Sequence, residues 1–271
     1  MTSTMKAAAS NKPADILSAS EMGRIRNVDR MLPSQPVMRK LFNGDDEAFH
    51  SGLESLLLSV LPSTGVEEKW ALELKPGVTY ASLGSDICTL HFYQLLIRLG
   101  GIRRVLELGT YIGVSALYLA EAVGSQGTVT TVELGEEFHA IAQRNFARNG
   151  LSGRIHAMLG SAPDVLRQQA AQNEHYDMIL MDAAKEAYAT MFEPALQCLA
   201  PGGLLVVDDI FMNGDSLNTQ PDSEKGAGIR QLLTKASALP ADYNRVILPM
   251  GNGTLLIRKP ARKAFDADLH G

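Results

Sequence analysis

Asp182, Lys185, Asp208 and Asp209 are the residues of this chain whose types and spacing suit chemistry. Asp182 closes the apolar run Met178-Ile179-Leu180-Met181, and Asp208 with Asp209 closes Leu204-Leu205-Val206-Val207. Two apolar runs that end in acids predict two buried strands with carboxylates at their carboxyl ends. If those strands are neighbours, three carboxylates converge. Like charges that close do not all stay ionised without a counter-ion. A hard divalent cation with oxygen ligands, magnesium foremost, resolves the conflict. Lys185 follows Asp182 by three residues and leans into the same space. A lysine beside a dication has a depressed pKa, which suits a general base. A single acid past a strand can equally cap the next helix. Three acids and a lysine on two strand ends point instead to a site.

A second stretch supplies a partner for that chemistry. Val105-Leu106-Glu107-Leu108-Gly109-Thr110-Tyr111-Ile112-Gly113-Val114-Ser115 reads as a buried strand, a glycine turn and a helix start. Gly109 and Gly113 let the backbone turn and approach a ligand closely. The first amides of the helix point back at the turn. The dinucleotide fingerprint G-x-G-x-x-G is absent. Glu133 ends the next apolar run, where a carboxylate accepts both hydroxyls of a ribose. The expected guest is a nucleoside without a phosphate chain, with S-adenosylmethionine (SAM) the leading candidate. The competing reading is an ordinary strand–helix turn with Glu133 facing solvent.

These residues need a scaffold, and the chain alternates in the right way. Helices are expected over residues 90–99, stopped by Gly100-Gly101, and over 136–149, closed by Gly150. Residues 154–159 read as a strand, followed by a helix with Pro163 near its first position. Residues 187–199 read as a helix bent at Pro194. Pro201-Gly202-Gly203 leads into the strand that ends at Asp208. Residues 213–228 are polar and glycine-rich and read as a loop near the site, with a helix over 229–239. Strands at 245–248 and 254–258, joined by Pro249-Met250-Gly251-Asn252-Gly253, close the chain as a hairpin. The expected fold class is α/β, a doubly wound, seven-stranded, mostly parallel sheet with an antiparallel last strand. Ligands in such sheets sit at the carboxyl ends of the strands.

The flanks read differently. Residues 1–20 are expected to be a flexible tail and 21–80 a helical cap, a candidate dimer surface, with Phe49, Leu53, Leu56, Leu57 and Val60 at helical spacing. Residues 81–260 are expected to form the main domain, which holds these candidate residues, and 261–271 a second flexible tail. Net charge is -5 without a long basic run, which argues against nucleic acid as a partner. No stretch has membrane-spanning length, and a secretory segment is not expected from the first residues. Cys88 and Cys198 lack metal-ligand spacing and read as buried, inert thiols in a reducing, cytoplasmic setting. His91, His139 and His156 have no metal-binding spacing and read as packing or surface residues.

Three segments carry a resemblance. Glu107 through Ser115, Asp182-Ala183-Ala184-Lys185-Glu186-Ala187-Tyr188, and Gly203 through Asp209 resemble the cation-dependent O-methyltransferases, among them the catechol and caffeoyl-CoA O-methyltransferases. The similarity spans about residues 80–260 and includes Leu248 through Gly253. It implies a Rossmann-like methyltransferase sheet that binds SAM and a divalent cation, and a small aromatic hydroxyl as acceptor. By position, Ser85, Glu107, Gly109, Thr110, Tyr111, Gly113 and Ser115 would line the methionine side of SAM. Glu133 would hold the ribose, and Ser161 with Ala162 the adenine. Asp182 would touch both cofactor and metal, Asp208 and Asp209 would complete the metal ligands, and Lys185 would be the catalytic base. Asn213 matches a substrate contact. Asp209 stands where the family usually has Asn, Ala184 replaces a common acid, and Leu90 stands where Gly is usual. The rival readings are a metal-independent methyltransferase acting on a carboxylate, amine or isolated hydroxyl, and a non-catalytic cofactor-binding protein.

Overall fold

A computed structural model describes Val60, residues 66–76, Ser85 and residues 87–261. The expected tails apart from Ala261, and the cap apart from residues 66–76 and Val60, lie outside the described residues. Seven strands form one sheet in the order β3-β2-β1-β4-β5-β7-β6. They are β1 (Arg104–Leu108), β2 (Thr128–Glu133), β3 (Ile155–Leu159), β4 (Tyr176–Met181), β5 (Leu199–Val207), β6 (Asn244–Leu248) and β7 (Thr254–Arg258). The first five run parallel, and β7 lies antiparallel to both β5 and β6.

The described helices are α1 (Val66–Lys69), α2 (Ile87–Gly100), α3 (Val114–Val123), α4 (Glu136–Arg148), α5 (Ala162–Ala171), α6 (Tyr188–Cys198) and α7 (Glu224–Ser237). Alternate strand residues face opposite layers, as the two-residue period of a strand requires. Leu106, Leu108, Ile179, Met181, Leu205 and Val207 pack with α5, α6 and α7. Val105, Met178, Leu180 and Val206 pack with α2, α3 and α4. Both faces are covered, which explains the unbroken apolar runs.

Register places the chemistry. Leu108 pairs with Met181, and Met181 with Val207. The ladder then continues one step past the strands: Asp182 N donates to Leu108 O at 2.9 Å, and Asp208 N to Met181 O at 3.0 Å. Three consecutive strands therefore end level, with Gly109, Asp182 and Asp208 side by side. β1 lies between β2 and β4, so this edge is also where the strand order reverses.

The segment 66–76 clamps the other end of the turn. Trp70 and Leu72 pack against the α2–α4 layer. Glu73 N donates to Asn145 Oδ1 at 2.6 Å, and Asn145 Nδ2 donates to Ile112 O at 2.9 Å. One buried asparagine thus joins this segment to the glycine turn.

Some expectations require correction. β5 begins at Leu199 rather than Leu204, because Leu199 already pairs with Tyr176 and the register slips before Met178. Pro201-Gly202-Gly203 lies within the strand as an irregularity. α7 begins at Glu224, so residues 224–228 are helix and not loop. Ser223 caps it, its hydroxyl accepting from Gly226 N at 3.0 Å. Residues 212–217 form a 3₁₀ turn that is kinked at Asn213 and Gly214. Residues 185–187 are a separate 3₁₀ turn before α6, and Pro194 lies inside α6 without ending it. Cys198 is buried, whereas Cys88 is only partly covered. Among the described residues, no helix is long and apolar enough to cross a membrane.

Candidate active site

A cavity of about 830 Å³ opens at the carboxyl ends of β1, β2, β4 and β5. Gly109, Thr110, Tyr111 and Ser115 form one wall and Glu133, Ser161 and Ala162 another, while Asp182, Lys185, Asp208, Asp209 and Asn213 line the far end. Ser85 also lines it. Glu107 and Gly113 do not; both stand behind the turn.

The turn is built without spare room. Gly109 has φ 105°, and a Cβ there would overlap the carbonyl oxygen of Asp182. The glycine lets β1 and β4 remain adjacent after their ladder ends. Tyr111 takes φ 51°. That conformation turns its amide, with that of Thr110, toward Glu133: Oε2 accepts from Tyr111 N at 2.8 Å and Thr110 N at 3.3 Å, and Oε1 accepts from Gly135 N at 2.9 Å. A carboxylate has about four lone-pair sites, so capacity remains for a ligand hydroxyl.

Glu107 is fully buried below this turn. Its Oε2 accepts from Thr131 Oγ1 at 2.5 Å, while Oε1 makes no hydrogen bond. Burial pushes the carboxyl up to about 8 against the pull of the Ser115 and Thr131 hydroxyls. A buried, half-satisfied acid beside a cavity is costly to maintain without a purpose. It suits a positively charged guest.

At the far end, Lys185 Nζ donates to Asp182 Oδ1 at 2.6 Å and lies 3.1 Å from Asp209 Oδ2. Burial works against its charge, yet Tyr188, Asp182 and Asp209 more than offset this and raise its pKa well above the ordinary lysine range. In this arrangement it is an ammonium. Asp208 is held from three sides. Tyr93 Oη donates to Oδ2 at 2.6 Å, and Oδ1 accepts from Asp209 N at 2.9 Å and Thr254 Oγ1 at 3.2 Å. Burial, and then the Asp182 charge, push the Asp208 carboxyl up to about 6. Asp209 takes φ 58°, which turns its side chain toward Lys185 rather than along β5.

The three acids and the lysine therefore meet at one end of the cavity. Three carboxylates face one ammonium, a hard-oxygen donor set with surplus negative charge that matches a divalent cation in chemistry. They are not drawn into a ready-made cage. Among the described residues, no three His, Cys, Asp or Glu side chains are grouped to hold a metal ion. Two of the carboxylates turn to Lys185 instead.

Several positioning residues are not evident from sequence. Tyr93 lies 115 residues from Asp208 and looks like one more apolar position of α2. Tyr188 donates to both Met181 O (3.0 Å) and Asp208 O (3.2 Å), tying the ends of β4 and β5 together. Asn252 Oδ1 accepts from Asn213 N at 2.9 Å, holding the 3₁₀ turn to the β6–β7 hairpin. His91 packs edge-on against Tyr118 and does not line the cavity.

This architecture has counterparts. The sequence profile of an O-methyltransferase family matches residues 77–260. A catechol O-methyltransferase of Niastella koreensis is 33% identical over 160 residues, which cover 58% of this chain and 72% of that protein. A catechol O-methyltransferase of Mycobacterium tuberculosis is 30% identical over 191 residues, 70% of this chain and 76% of that protein. The crystal structure of the O-methyltransferase TomG from Streptomyces achromogenes, solved in complex with SAM, matches with a TM-score of 0.62 at 25% identity, over 66% of this chain and 82% of that one.

Proposed function

The chain belongs to this O-methyltransferase family, and from that premise we propose that it transfers the methyl group of SAM to a hydroxyl of a small, catechol-like aromatic acceptor with the help of a divalent cation. One observation carries the reading: the glycine turn after β1 and the Asp182–Lys185–Asp209 cluster line a single cavity. A donor held at the turn then lies beside an acceptor held at the acids. Proximity and orientation are the main contribution such a site makes to methyl transfer.

Each residue has a place in this scheme. Glu107, buried and half-satisfied, would give up its proton when the positively charged donor binds and support that charge from behind Ser115. Glu133 offers its remaining acceptor site to a ribose hydroxyl, and Ser161 and Ala162 flank the adenine. Asp182, Asp208 and Asp209 would hold the cation. When bound, it would supply Lewis acidity to the acceptor oxygen and offset the carboxylate charge that keeps Lys185 protonated. Lys185 Nζ, fixed by Asp182, would first release its own proton to solvent and then, as the neutral amine, receive the acceptor proton as the oxygen attacks the methyl carbon and the carbon–sulfur bond breaks.

A second reading rests on a specific feature, the ion pairs of Lys185 with both Asp182 and Asp209. With the ammonium serving as their counter-ion, the same cavity would methylate a carboxylate, amine or isolated hydroxyl without metal. Methyl transfer to catechols and simple phenols, run with chelator and again with magnesium restored, separates the two. Vicinal-diol turnover that stops with chelator and returns with magnesium is expected. Turnover indifferent to chelator would move the assignment to the second reading.

A further inference from the structure

We infer that Lys225 is a specificity-determining residue that selects acceptors carrying a carboxylate away from the reacting hydroxyl; this rests on the reading of the cavity as the methyl-transfer site. Lys225 lines that cavity, as do Asn213 and Asn252. Among the described residues it makes no hydrogen bond or ion pair. Glu224 precedes it in the same helical turn and is exposed, but the carboxylates of the Lys185 cluster and of Asp215 are differently placed. Asp182 and Asp209 are engaged by Lys185. Asp208 accepts from Tyr93, Asp209 N and Thr254. Asp215 accepts from Asp222 N, Ser223 N and Ser223 Oγ.

Two amides of the same cavity wall point the same way. Asn252 spends its Oδ1 on Asn213 N, and its Nδ2 donates to nothing among the described residues. The side-chain amide of Asn213 is likewise uncommitted. Among the described residues, the cavity wall therefore offers a cation without a partner and two unused amide donors, a set that matches a carboxylate. Glu186 lines the same cavity from the lysine turn. It is the opposing charge, and it would select an ammonium substituent instead. It follows Lys185 directly and has no comparable donors in its company.

Local structure adds an independent argument. Lys225 occupies the first turn of α7, the end of a helix where an anion is stabilised and a cation is not. The strand–turn–helix connection holds it there all the same, through the Asp215 and Ser223 bonds that fix the helix start. A residue that breaks a local preference at a cavity wall is a candidate for function.

The test uses the full chain and three acceptors that share one ring: 3-(3,4-dihydroxyphenyl)propionate, its methyl ester, and 4-(2-aminoethyl)catechol. Methyl transfer gives kcat/KM for each, and calorimetry gives binding of each to the protein loaded with S-adenosylhomocysteine. The acid is expected to exceed the ester roughly fivefold, the scale of one exposed charge pair, mainly through KM. The acid-to-ester ratio should fall to about one in Lys225→Gln, invert in Lys225→Glu, and shrink as salt is raised. Equal acid and ester values in the unmodified protein, a preference for the amine, or a ratio that survives Lys225→Gln would overturn the inference and leave the methyl-transfer reading standing. Binding of the acid that depends on Lys225 without any turnover would uphold the inference and sink that reading. Absence of both binding and turnover would sink both.

Discussion

Tyr93 and Asp208 share a hydrogen bond of 2.6 Å between the middle of α2 and the end of β5. Tyr93 is buried and Asp208 nearly so. The phenol crosses from the helical layer to the carboxylate at the cavity, so it orients Asp208 and satisfies one oxygen of a largely buried carboxylate. Tyr93→Phe keeps the packing and removes only the donor. A buried acceptor left without its partner costs about 1–3 kcal/mol. Urea unfolding should register that loss, and kcat/KM for methyl transfer should fall with it. Unchanged stability and unchanged kcat/KM would show that Asp208 does not depend on this contact.

Glu107 predicts an unusual pH dependence. Its folded carboxyl is pushed up to about 8 from an ordinary 4.5. The native state therefore keeps a proton that the unfolded chain has released. This contribution to stability is complete below pH about 4.5 and is lost as pH rises through about 8, at no more than about 1.4 kcal/mol per pH unit. Thermal unfolding without SAM, followed from pH 5 to 9, should show stability falling across this window. Glu107→Gln, which is neutral throughout, should flatten the curve. Parallel curves for the two proteins would remove Glu107 as the cause.

Gly228 links α7 to the lysine. A Cβ at this position would come within 2.5 Å of Lys185 O and 2.8 Å of Glu186 Cα. Both of those atoms belong to the turn that presents Nζ, and neither can swing away as a side-chain tip would. Gly228→Ala should therefore displace the Lys185 turn. The expected result is a large fall in kcat with SAM affinity retained, because the glycine turn after β1 lies elsewhere. Calorimetric titration with SAM beside steady-state kinetics tests this. Loss of SAM binding in step with kcat would indicate general collapse instead.

The same position explains what sequence does and does not disclose. Strands, their order of appearance and the acids at their ends are legible because a buried parallel strand leaves an apolar run with a polar stop. Lys185 is legible beside Asp182 because the two are three residues apart. The start of α7 is not, since Gly226 and Gly228 in a polar stretch look like loop. Their glycines answer to packing, against Asp215 and against the Lys185 turn, and that demand comes from residues distant in sequence. Tyr93 is hidden for the same reason. Its apolar ring fits the helix pattern, and its hydroxyl matters only once β5 stands beside it. The irregularity at residues 201–203 depends on the pairing of Leu199 with Tyr176, which only the assembled sheet defines.

Lys185 offers the sharpest separation of roles. Its ammonium is held by Asp182 and Asp209, and their charge raises its pKa despite burial. If it acts only as a counter-ion, any permanent cation of similar reach serves. If it moves the acceptor proton, it must be able to lose its own. Arginine keeps the charge and does not deprotonate in proteins. Lys185→Arg should therefore leave stability near that of the unmodified protein and still lower kcat by a factor on the order of 10² or more, the usual scale for a lost general base. Lys185→Met should lower kcat at least as far and also leave Asp182 and Asp209 without their shared partner. Near-normal turnover in the arginine variant would assign Lys185 to charge balance alone, and the proton of the acceptor would then have to leave by another route.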